Sequence, residues 1–114
     1  MDIKVRYTES VIILEVGGSL DISNADQIRK ALVDAISAES AHVVVNLRNL
    51  YFVDSSGLAA LVQGWKRARQ HHGNLCLSNV QPPVRMILEL TRFDKVFEIF
   101  VSEEDAVLAV ASPY

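Results

Sequence analysis

The sequence predicts an α/β domain, a mixed sheet of about five strands packed with about four helices, and three patterns predict it. Ile3, Val5 and Tyr7 alternate with polar residues, Thr8-Glu9-Ser10 interrupts, and an apolar run resumes from Val11 to Val16. Two antiparallel strands joined by a short turn read this way. His42-Val43-Val44-Val45-Asn46-Leu47 sets three β-branched residues side by side, which favours a strand buried on both faces. After the hairpin, stripes of helical period alternate with short apolar runs, so the remaining strands are expected to be mostly parallel, joined by right-handed crossovers. With 114 residues, 50% of them hydrophobic, residues 1–114 are expected to form one domain. A chain of that size buries roughly two-thirds of its unfolded surface.

In chain order, Gly17-Gly18 is expected to end the second strand. Ser23, with Asp26 three residues on, resembles a capping box, and Ile28, Ala31, Leu32, Ala35 and Ile36 form the stripe of a first helix. Glu39-Ser40 turns the chain into the valine strand, and Arg48 to Phe52 connects that strand to Val53-Asp54-Ser55-Ser56-Gly57-Leu58. A second helix is expected from about Ser56 to His72, with Leu58, Leu61, Val62, Trp65 and Ala68 as its stripe and Gly73 as its left-handed stop. Asn74 to Ser78 reads as a strand, Pro82-Pro83 opens a third helix whose stripe is Val84, Ile87, Leu88 and Leu90, and Val96 to Val101 reads as the last strand. Ser102 with Asp105 forms a second capping-box pattern before Ala106-Val107-Leu108, and only Ser112-Pro113-Tyr114 reads as frayed.

Composition removes several function classes. A formal charge of -3, from 11 basic and 14 acidic side chains, gives no electrostatic reason to expect nucleic acid or an anionic membrane as partner. No run approaches the ~18 apolar residues of a membrane span, and Met1-Asp2-Ile3-Lys4-Val5 lacks the form of a signal peptide, so a cytoplasmic protein is expected. Cys76, the single cysteine, lies between Leu75 and Leu77 and reads as a buried, inert thiol.

The stretch with chemistry is Asp54-Ser55-Ser56-Gly57, where a strand gives way to a helix. Helix N-termini offer unpaired N–H groups and a partial positive charge, so a serine there is either a cap or a phosphate acceptor. Asp54 precedes the serines, Gly57 removes a side chain that would crowd a bound group, and no basic residue nearby would hold a phosphate permanently. Transient modification suits such a place better than stable phosphate binding. Asp21, in a loop over the same sheet edge, either frames the serine with Asp54 or bonds its own loop backbone. Nucleophilic catalysis needs a base beside the serine. His42 starts a strand at the opposite end of the sheet, and His71 and His72 lie roughly 24 Å along the helix at ~1.5 Å per residue. That histidine pair also has no Cys or carboxylate at ligand spacing, so no metal or other cofactor is expected. Trp65 reads as core, and Lys66, Arg67 and Arg69 read as a solvated face or the rim of an interface.

Val44-Val45-Asn46-Leu47, Asp54-Ser55-Ser56-Gly57-Leu58 and Gly18-Ser19-Leu20-Asp21 together resemble the STAS domain of bacterial anti-sigma factor antagonists, over nearly the whole chain. The resemblance implies a STAS-like fold and a protein that is not an enzyme. It makes Ser55 the residue phosphorylated by a partner that is both anti-sigma factor and serine kinase, and a metal-dependent serine phosphatase the enzyme that reverses it. It places Asp21, Asp54, Ser55, Ser56 and Gly57 on the partner-binding surface. The unphosphorylated protein would bind the kinase and free a sigma factor. STAS folds also serve as subunits or tails of membrane transporters and in signalling complexes, which is the alternative reading.

Overall fold

The computed structural model describes residues 2–8 and 10–111. Strands β1 (Asp2–Thr8) and β2 (Val11–Leu20) form the expected antiparallel hairpin, with Asp2 opposite Gly17 and Thr8 opposite Val11. The valine strand β3 (His42–Asn46) runs parallel to the first half of β2. A short β4 (Leu50–Val53) runs parallel to the second half. Next to β3 lies β5 (Asn74–Ser78), then β6 (Ile99–Phe100), both parallel, which gives the order β1-β2-β3-β5-β6 with β4 beside β2.

Alternation along the strands sends side chains to two faces. Ile12, Leu14, Val43, Val45, Leu75 and Leu77 join the main core with residues of α1 (Ala25–Ala35), α2 (Ser55–Gln70) and α3 (Pro82–Leu90). Val11, Ile13, Val44 and Cys76 form a smaller cluster with Ala106 and Val110 of α4 (Glu103–Val110), against which Val107 and Phe100 pack. Arg6 braces this thinner side: its guanidinium donates to Glu15 at 2.8 Å and to Glu103 at 2.7 Å, and the Asn46 amide also donates to Glu103. Burial pushes the Cys76 thiol up to about 12, which keeps it protonated and unreactive.

Several expectations need correction. Strand β2 does not stop at Gly17-Gly18; it bulges between Gly18 and Ser19, with Gly18 at φ 90°, and continues to Leu20. That continuation creates the partner for β4, formed by residues expected only to connect β3 to α2. The last strand is confined to Ile99–Phe100, because a 3-10 turn at Phe93–Lys95 folds Val96 and Phe97 back onto the Phe93 carbonyl. The left-handed residue after α2 is His72, at φ 65°, whereas Gly73 is needed for space: a Cβ there would stand 1.8 Å from the Ala41 carbonyl oxygen. Finally, Ser23 does not cap α1, since its hydroxyl is bonded to Asp21 and Asn24 holds the cap position. Leu90, expected in the stripe of α3, is exposed. Ser112-Pro113-Tyr114 lies outside the described residues, and among those no helix is long and apolar enough to cross a membrane.

Candidate functional site

Strands β2 and β4 end side by side, Leu20 opposite Val53, and the chain leaves each of them through an acid. The two exits are stitched together. The Asp54 N–H donates to the Leu20 carbonyl at 3.0 Å, and the Ile22 N–H donates to Asp54 Oδ2 at 3.2 Å. The other oxygen of the same carboxylate, Oδ1, accepts from the Gly57 N–H at 3.0 Å. Asp54 is therefore the N-cap of α2 and also the tie between two loops.

Neither serine caps the helix. Ser55 is the first residue of α2 and exposed, Ser56 is half-buried, and neither hydroxyl makes a hydrogen bond among the described residues. In the first turn the Gly57 N–H goes to the Asp54 side chain and the Leu58 N–H to the Asp54 carbonyl. The N–H groups of Ser55 and Ser56 have no partner among the described residues, so the positive end of the helix faces outward beside the exposed hydroxyl.

Asp21 bonds its own loop, the second of the two roles its position allowed. Its Oδ1 accepts from the Ser23 hydroxyl and, at 3.0 Å, from the Ser23 N–H, so it stabilises its own loop. The Ser23 hydroxyl, and then the N–H, hold its carboxyl below the usual range. The stitched loop also brings it to the edge where Asp54 and Ser55 stand. Asn24 completes the loop: its side chain accepts from the Asp21 N–H at 2.9 Å and donates to the Ser19 carbonyl at 2.8 Å.

Gly57 faces inward. A Cβ on it would lie 2.6 Å from Leu20 Cγ and 2.8 Å from both the Leu20 carbonyl oxygen and Val53 Cγ2. Its missing side chain lets α2 descend onto the two strand ends, so the room it makes is inside the fold and not, as expected, beside a bound group. Away from the site, His71 and His72 follow the far end of α2, and His42 begins β3 opposite Val11, at the other end of β2. Trp65 is half-buried against the core with the Arg69 guanidinium 5.5 Å from its ring centre. Arg67 is not free on a solvated face: its Nε donates to the Ile36 carbonyl at 3.2 Å, tying α2 to the end of α1.

Sequence reasoning missed three residues at this edge. Ile22, Tyr51 and Phe52 are large, apolar and exposed. Two aromatic residues just ahead of Asp54 were the available signal, masked because the segment was read as a connector.

The fold and the match of residues 2–106 place the chain in a protein class: it belongs to the STAS domain family. Among its relatives it is 31% identical over 108 residues to the anti-sigma F factor antagonist of Paenibacillus polymyxa, covering 94% of this chain and 92% of that one. The structure of an anti-sigma-factor antagonist (STAS) domain protein from Planctomyces limnophilus is 28% identical and superposes with a TM-score of 0.84, covering 98% of this chain and 100% of that one. An anti-sigma factor antagonist from Mycobacterium paratuberculosis shares the fold at a TM-score of 0.86 and 22% identity, with 97% of this chain and 94% of that one covered.

Proposed function

We propose that this chain is an anti-sigma factor antagonist, a protein-binding module with no catalytic step of its own. Unphosphorylated, it binds an anti-sigma factor that is also a serine kinase, and so frees a sigma factor. The kinase ends the interaction by moving the terminal phosphoryl group of its nucleotide to Ser55 Oγ, which loses its proton. A metal-dependent serine phosphatase resets the module. The carrying observation is the division of labour at the start of α2: Asp54 caps the helix, so the exposed Ser55 hydroxyl has no structural duty. The likeness to an anti-sigma F factor antagonist at 31% identity supports the same reading.

The physics is compatible with a switch. Phosphate on Ser55 adds a charge of about -1.5 to -2 beside Asp54 and Asp21. Within the folded chain, the outward N–H groups of Ser55 and Ser56 and the helix dipole offset that charge. A partner surface shaped for a neutral hydroxyl has no such compensation and must bury or exclude a dianion. Even ~3 kcal/mol of penalty weakens binding more than a hundredfold. Catalysis by Ser55 would need a base held beside it, and His71 and His72 stand beyond the opposite end of α2.

The test is co-purification from the source cells with Ser55→Ala and Ser55→Asp proteins. Ser55→Ala is expected to retain the kinase, and Ser55→Asp to stay folded and lose it. A Ser55→Asp protein that holds its kinase as firmly as the parent would contradict the switch, and recovery of transport subunits in place of a kinase would favour the transporter reading.

A further inference from the structure

Large apolar side chains are spread unevenly around Ser55. Ile22 is 81% exposed although its N–H is fastened to Asp54. Tyr51 and Phe52 are 60% and 47% exposed on β4, while Leu50 and Val53 of the same strand are buried and hold it in place. In the other direction along α2 the exposed residues are Ala59, Gln63, Lys66, Arg69 and Gln70, which are small or polar. The fold itself gains little from the outward Ile22, Tyr51 and Phe52.

Area decides what covers them. A specific interface buries about 800 Å² on each partner, a disc of roughly 16 Å radius if centred on Ser55. Phe52 is three residues from Ser55, at most roughly 10 Å along the chain, and Ile22 touches Asp54 directly. Any partner large enough to read the Ser55 hydroxyl therefore covers this apolar ground or leaves it as the wet rim. Exposed aromatic and aliphatic residues beside a specificity-bearing polar group are the usual anchors of such contacts.

We infer that the anti-sigma factor kinase docks across β4 and the Asp21–Ser23 loop, with Ile22, Tyr51 and Phe52 as its apolar anchors and Ser55 as the switch within the same footprint. This rests on the function proposed above and adds where the affinity comes from. The anchors make the same contacts before and during phosphoryl transfer, so removing one raises KM and leaves kcat in place.

The experiment uses the kinase that co-purifies with the Ser55→Ala protein. Its affinity is measured by calorimetry for Ser55→Ala carrying Ile22→Ser, Phe52→Ser or Leu108→Ser, each checked for folding by thermal melting. Leu108 is a control, 74% exposed on α4 against the other face of the sheet. Ile22→Ser and Phe52→Ser are each expected to weaken binding at least tenfold, and Leu108→Ser less than twofold. With Ser55 intact, Phe52→Ser is expected to raise KM for phosphorylation with kcat unchanged. Should Ile22→Ser and Phe52→Ser bind and be phosphorylated like the parent, the docking surface is wrong while the switch stands. A parent protein with neither a phosphate on Ser55 nor a bound kinase overturns both.

Discussion

Two helices of this protein begin on an acid-and-hydroxyl pair, and they use it in opposite ways. At α4 the hydroxyl is the cap: Ser102 Oγ accepts from the Asp105 N–H at 3.1 Å, and the acids Glu103, Glu104 and Asp105 fill the first turn. At α2 the acid is the cap, and the two serines fill the first turn with unbonded hydroxyls. Three residues past the cap, α4 carries an exposed Asp105 and α2 a buried Gly57. One helix start is finished by its own residues. The other is packed tightly inside and left chemically open outside, and an open hydroxyl is what a reversible modification needs.

The largest effect that would test this contrast is at Gly57. Ala at that position forces a methyl group against Leu20 and Val53, and about 3 kcal/mol of stability is expected to be lost in denaturant unfolding. Asp105→Ala, at the corresponding place in α4, is expected to change stability by less than about 0.5 kcal/mol. A Gly57→Ala protein as stable as the parent would mean that α2 is not pressed onto the strand ends.

At the serines the two helix starts should differ by less. Removing a capping hydroxyl destabilises by about 1 kcal/mol, so Ser102→Ala is expected to lower the unfolding free energy by that amount. Ser55→Ala, at a hydroxyl without a bond, is expected to stay within about 0.5 kcal/mol of the parent. Equal losses in the two variants would return Ser55 to an ordinary structural role.

The smallest effect concerns pH. Asp21 is held below the usual carboxylate range by the Ser23 hydroxyl and N–H. A depressed folded-state pKa stabilises the fold above the ordinary aspartate range, and the contribution is lost as pH falls through the folded value. Ser23→Ala is expected to move the Asp21 titration upward, read by NMR, and to shrink that acid-side loss. An unchanged Asp21 titration would show that the Ser23 hydroxyl is not its support.

The contrast between these helix starts also explains what could be read from sequence. The hairpin, the valine strand and the stripes of α1, α2 and α3 were legible because each repeats its period long enough to be counted. Strand β4 was not. Its four residues point inward at Leu50 and Val53 and outward at Tyr51 and Phe52, which matches no simple alternation. Its partner is the part of β2 beyond two glycines, and glycines read as a stop until a bulge with positive φ is seen. At the site, Asp21, Asp54 and Ser55 were legible as residue types at a strand-to-helix junction. Which of them capped the helix was not, since either an aspartate or a serine can accept the same N–H. Only the bonds from Asp54 to Gly57 and Ile22 decide it. The apolar residues at the edge escaped for a related reason: exposure of Tyr51 and Phe52 follows from the pairing of β4 with β2, a contact between distant parts of the chain.

We propose that the open hydroxyl of Ser55 is modified and the capping hydroxyl of Ser102 is not. Intact-mass and phosphosite analysis of the protein from its own cells, beside a Ser55→Ala variant, tests it most directly. A gain of one phosphate confined to Ser55 and absent from the variant is expected. A phosphate elsewhere with Ser55 unmodified, or none under any growth or stress condition, would contradict it.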